Sequence, residues 1–197
     1  MENQKRFLTP DIEPSAYILF AAAVLFVPLQ WIGSWLVAAA VHELFHCCAV
    51  YLAGGSVQKI SVGIRGAEIQ ADLRSDMGEG FCAIAGPIGG LALLLLARWA
   101  PRLALCALIQ SAWNLIPIYP LDGGRALSAF LKCSVPKYAD RLERVASVLV
   151  LFAFCAAGIY GLLFWKLGFL PIVLLFIILL RVAQIKIPCK RGRLRVQ

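Results

Sequence analysis

Charge is scarce in this sequence. Of 197 residues, 15% are charged and 61% hydrophobic, and the mean hydropathy is +0.81. A soluble domain carries about 25% charged residues, so a water-soluble globular class is excluded and membrane integration takes its place. Histidine is scarcer still, with only His42 and His46 in the chain. Acid is missing from Arg181–Gln197, which holds Arg181, Lys186, Lys190, Arg191, Arg193 and Arg195. Such a tail suits nucleic acid or anionic lipid headgroups. In a chain this apolar a cytoplasmic flank on lipid is the more economical reading, and no nucleic-acid partner is expected. There is no CxxC pair. The seven cysteines (Cys47, Cys48, Cys82, Cys106, Cys133, Cys155, Cys189) are odd in number and scattered through apolar runs. They read as small apolar helix residues rather than a disulfide framework. No small-residue cleavage site follows the polar start, so a retained first span is expected instead of a removable signal peptide.

What is present is a series of long apolar runs. Ala16–Ala53 is 38 residues, about 57 Å as helix at about 1.5 Å per residue, nearly twice a bilayer core of about 30 Å. It divides into spans Ala16–Gln30 and Trp35–Leu52, broken around Pro28–Ser34. The polar insert Gly54–Glu79 follows. In it Ile60, Val62 and Ile64 alternate, then Ala67, Ile69 and Ala71, with Arg65-Gly66 between. That alternation predicts a β-hairpin over Ile60–Ala71. Its edge is equally a candidate for adding a substrate strand and for a plain interfacial lid. Further spans are expected at Phe81–Trp99, Leu103–Tyr119, Val145–Trp165 and Phe169–Val182, with Pro120–Arg144 as a polar segment. The predicted fold is an all-α integral membrane protein of six transmembrane helices with a small β-hairpin between spans two and three. Residues 1–15 form an N-terminal segment, 16–182 the core and 183–197 a basic tail. Six spans put both termini on one side. Taking that side as cytoplasmic leaves only Arg98, Arg102 and Lys166, of 19 Lys and Arg, outside.

The two histidines flank Glu43 in HELFH, His42–His46. Four residues apart on a helix they are separated by roughly 40° around the axis, so both imidazoles reach one ion. This is the HExxH arrangement of zinc proteases, with Glu43 beside the pair to act on a water. Zinc then needs a third protein ligand and an open position. It acidifies the water and polarises a scissile carbonyl, while Glu43 takes the water proton and passes it to the leaving amine. An ionisable cluster near mid-span is costly and marks function. The third ligand is expected at Asp122, in NLIPIYPLDGGR (Asn114–Arg125). Pro117 and Pro120 unwind the helix there, and Gly123-Gly124 permit close backbone approach. Arg125 is a candidate partner for Asp122 or a backbone carbonyl, with a positive-inside anchor as the equal alternative. Gln110 and Asn114 share a face of the fourth span.

HELFH in the second span with NxxPxxPLDGG at the end of the fourth resembles the site-2 protease family of intramembrane zinc metalloproteases, peptidase family M50. The layout is similar to the branch that processes a sporulation sigma-factor precursor. The resemblance implies one zinc on His42, His46 and Asp122, and Glu43 as catalytic acid and base. It implies that Asn114 and the Pro117/Pro120 bend hold substrate or order the site, and that the AGP run with Gly86 and Pro87 supports it. It implies a membrane-associated regulatory protein as substrate, with a membrane inhibitor or activator. Two departures stand out. The tail beyond Val182 is too short for the nucleotide-sensing domain usual in the sporulation branch, and Gly89-Gly90 stand where an amide is common in the family. The alternative is a non-proteolytic membrane metal-binding or transport protein, which would not need Glu43.

Overall fold

The computed structural model describes residues 11–63, 66–73, 75–164 and 194–196. In chain order these form β1 (Asp11–Ile12), α1 (Pro14–Phe26), α2 (Leu29–Leu52), β2 (Ser56–Gly63), β3 (Gly66–Asp72), α3 (Asp76–Ala92), a 3-10 turn (Leu93–Leu96), α4 (Pro101–Asn114), α5 (Asp122–Ser134), α6 (Ala139–Phe164) and β4 (Leu194–Val196).

Prolines and a serine punctuate the helices. Pro28 ends α1 and stands at the N-cap of α2, because its ring fixes φ and removes a donor. The break expected around Pro28–Ser34 thus falls at its first residue, Val27-Pro28, and α2 runs unbroken through Gly33 and Ser34. The Ser34 hydroxyl donates to the Gln30 carbonyl at 2.8 Å, one turn back, so it satisfies itself inside the helix. Ser75 caps α3, its hydroxyl accepting from the Gly78 N–H at 3.1 Å. That cap starts the helix five residues before Phe81, so Glu79 lies on α3 and not in the polar insert.

Among the described residues three helices are long and apolar enough to cross a membrane: Leu29–Leu52, Asp76–Leu96 and Ala139–Tyr160. The six expected spans are thus not all seen. α1 has 13 residues and α4 has 14, about 20 Å each at about 1.5 Å per residue. α4 stops at Asn114, short of Tyr119, because Pro117 cannot continue it and restricts Ile116 before it. Phe169–Val182 lies outside the described residues. Pro120–Arg144, expected as a polar segment, holds α5 and the start of α6.

The hairpin is present and belongs to a larger sheet of order β1-β2-β3-β4. β2 pairs antiparallel with β3, with Ile60 opposite Ile69. β1 lies parallel to β2 at Ser61 and Val62, and β4 lies antiparallel to β3 along Ile69–Ala71. A Lys59–Asp11 ion pair at 2.7 Å spans the β1–β2 edge. Both edges of the hairpin thus carry short strands of this chain.

Helix α2 packs against α3 and α4, α3 against α5, and α5 against α6. The buried contacts are small: Ala38 with Cys106 and Ala107 join α2 to α4. Ala49, Val50 and Cys82 close around Ile69 and Ala71 of β3. Small residues let helix backbones approach closely, the packing expected in lipid. The large apolar side chains face outward instead, among them Leu25, Phe26, Leu52, Leu95 and Phe152. An apolar surface this extensive fits a hydrocarbon environment.

Candidate metal centre

Four elements converge on His42 and His46, which α2 presents on one face. His42 is 1% exposed, His46 0% and Asp122 2%. The His42 and His46 Nε2 atoms are 3.1 Å apart, and Asp122 Oδ2 lies 3.1 Å from the first and 3.3 Å from the second. Asn114 Nδ2, at the end of α4, is 3.2 Å from His42 Nε2.

The tautomer of His46 follows from its other nitrogen. Nδ1 is 2.7 Å from the Cys82 carbonyl of α3. A carbonyl only accepts, so Nδ1 carries the proton and Nε2 offers a lone pair. That lone pair faces a buried carboxylate oxygen and a second imidazole nitrogen. Such a set repels itself unless a cation, proton or metal ion, lies among its members. Donors held about 2.0–2.1 Å from a tetrahedral zinc stand about 3.3–3.4 Å from one another. The observed 3.1–3.3 Å separations fit that ion. His42, His46 and Asp122 form a buried group able to hold a metal.

Local sequence explains how these atoms meet. A Cβ on Gly86 would overlap the His46 imidazole, so only glycine lets α3 lie this close to α2. Buried Pro87 follows and offers no N–H to the Ala83 carbonyl one turn back. Gly89 packs on Phe45 and Gly90 on the Ser111 hydroxyl, each without room for a Cβ. An amide side chain would not fit at either place. Pro117 and Pro120 lie half-buried in the Leu115–Leu121 turn between Asn114 and Asp122, and the Tyr119–Pro120 peptide is cis. Gly123 sits against the Leu115 carbonyl and Gly124 against the Ile118–Tyr119 backbone, again with no space for Cβ. This folds the turn onto the start of α5 and sets Asp122 as its first residue. The carboxylate also meets the positive end of that helix.

Glu43 is partly buried and lies close enough to His46, Asp122 and Arg125 to interact electrostatically. Its Oε2 is buried without a hydrogen-bond partner among the described residues, as are His42 Nδ1 and Asp122 Oδ1. Arg125 is neither on Asp122 nor an exposed anchor. It is 1% exposed, and its Nη2 lies 3.5 Å from Glu79 Oε1. Two participants carry no motif signal in the sequence. The Cys82 carbonyl is backbone and leaves no letter in a motif. Glu79 reads as part of the polar insert by composition, and Ser75 before a small-residue helix is the cap signal that assigns it to α3.

No protein-family model matches the chain. It is 32% identical over 123 residues to zinc metalloprotease MJ0392 of Methanocaldococcus jannaschii, a match covering 55% of this chain and 34% of that protein. The matched part thus spans about a third of the relative's length. In three dimensions the chain is similar to the site-2 protease from Methanocaldococcus jannaschii. The TM-score is 0.62 at 20% identity, over 92% of each chain. That likeness shows a shared fold over nearly the whole chain, in which three helices among the described residues are long and apolar enough to cross a membrane. In its fold and paired motifs the chain resembles the site-2 protease family of zinc metalloproteases, with no finding that favours the sigma-factor-processing branch.

Proposed function

We propose that this chain is an intramembrane zinc endopeptidase. It hydrolyses a peptide bond in or next to a transmembrane segment of a membrane-associated regulatory protein. The observation that carries the reading is the buried triangle of His42 Nε2, His46 Nε2 and Asp122 Oδ2, with sides of 3.1–3.3 Å, its two histidines on the helix that also bears Glu43. His42, His46 and Asp122 would hold one zinc per chain. When bound, zinc supplies Lewis acidity that polarises the scissile carbonyl and acidifies water near neutral pH. Glu43 takes the proton of the attacking water and delivers it to the leaving nitrogen. The Cys82 carbonyl keeps His46 in the ligating tautomer. Asn114, beside His42, orders that ring or the substrate backbone.

The charge bias supports six spans with both termini in the cytoplasm and water entering from that side. A sigma-factor precursor is one candidate substrate, and a membrane protein that inhibits or activates the site is a fitting regulator.

The test is Glu43→Gln in the full chain, co-expressed with a candidate membrane substrate. Zinc content is expected to stay near one per chain, while cleavage falls by about 10²–10⁴-fold, the usual weight of a lost general base. Normal cleavage by Glu43→Gln would sink the mechanism. Zinc uptake into vesicles, indifferent to Glu43→Gln, would favour a transporter instead.

A further inference from the structure

Glu79 and Arg125 stand outside the donor triangle, yet they are 6% and 1% exposed. Their ion pair is loose, at 3.5 Å. Glu79 Oε2 and all three guanidinium nitrogens of Arg125 are buried without a hydrogen-bond partner among the described residues. A pair made this way is a poor stabiliser, because desolvation is recovered only with good geometry and full hydrogen bonding. Arg125 also sits in the first turn of α5, the end of a helix that disfavours a cation. An apolar pair would hold α3 to α5 at least as well.

Its position supplies another reason. Glu79 lies one helical turn before Cys82, whose carbonyl orients His46. Arg125 lies one turn after Asp122. A single contact therefore ties the turn bearing the third ligand to the turn that orients the second. We propose that Glu79 and Arg125 are positioning residues for the metal centre. Their pairing clamps the first turn of α5 to α3 and so sets Asp122 Oδ2 against His46 Nε2. The inference rests on the zinc reading above.

The experiment uses the purified full chain in detergent, with zinc affinity read by competition against a chromophoric chelator. Three proteins are compared: wild type, Arg125→Lys, and the double variant Glu79→Leu with Arg125→Leu, which buries no charge. The double variant is expected to keep wild-type helix content and melting temperature. It should bind zinc about 10–100-fold more weakly, the range seen when groups supporting metal ligands are lost. In a cleavage assay kcat should fall while KM stays. Arg125→Lys keeps the charge without the planar fork and is expected to lie between the other two in zinc affinity. Wild-type zinc affinity in a folded double variant would overturn the proposal. Should the double variant fail to fold, wild-type affinity in Arg125→Lys overturns it equally. If wild type itself binds no zinc, the metal reading falls. If wild type binds and the variants bind as well, only the clamp falls.

Discussion

Gly86 shows how one missing methyl group admits the His46 imidazole. Its α-carbon lies against the His46 imidazole so closely that any Cβ would overlap the ring, and the ring cannot retreat because Cys82 holds its far nitrogen. Gly86→Ala is therefore expected to displace His46 and weaken zinc binding by about 10–100-fold, measured by chelator competition. Gly33→Ala, at a helical glycine with open space around it, should leave binding unchanged. His42, Glu43 and His46 were legible from the sequence because their spacing on a helix is itself the chemistry. Asp122 was legible from the proline and glycine around it. The Cys82 carbonyl was not, since any residue supplies one. Arg125 was legible as a charge but its pairing with Glu79, in place of Asp122, a backbone carbonyl or an anchoring role, is settled only by packing of α3 on α5.

At the level of elements, the decisive feature is the turn Leu115–Leu121. Two prolines stop α4 at Asn114, and two glycines let the start of α5 tuck beneath the turn. Asn114 and Asp122 thereby reach the same imidazole from opposite sides of one loop. Gly124→Ala is expected to push α5 away from the Ile118–Tyr119 backbone. A backbone clash of this kind typically costs about 1–3 kcal/mol, read as a lower melting temperature together with weaker zinc binding. Pro117→Ala should do less to stability and more to the site, by letting α4 extend toward Tyr119. Helix content would then rise as zinc affinity falls. The prolines made the end of α4 readable, although its limit was set too late at Tyr119. Helix α5 is hard to see in the sequence because Gly123, Gly124, Arg125, Ser128 and Lys132 interrupt its apolar residues, which reads as a polar linker when burial is unknown.

For the whole molecule, three buried lone-pair donors facing one another would repel in the absence of a cation. Stripping zinc with a chelator should lower the melting temperature by about 5–10 °C relative to protein in zinc at a hundred times its dissociation constant. Re-addition should restore it, while His46→Ala protein should show no such shift. Hydropathy alone revealed the apolar runs and a break around Pro28–Ser34, which the structure narrows to Val27-Pro28, but it gave α4 too much length. It counts residues and is blind to where a helix caps itself.

The four-stranded sheet constrains how the chain threads the bilayer. Strands hydrogen-bonded edge to edge must be approached from one face of the membrane, since an open sheet does not straddle hydrocarbon. β1 and β4 belong to the same sheet, so the number of crossings between Ile12 and Leu194 is even, whatever each helix does on the way. The same parity applies separately to Ile12–Ser56 and to Asp72–Leu194. Reporter domains fused ahead of β1 and after β4 should therefore always report the same compartment, and opposite compartments would mean that the sheet does not form in the membrane.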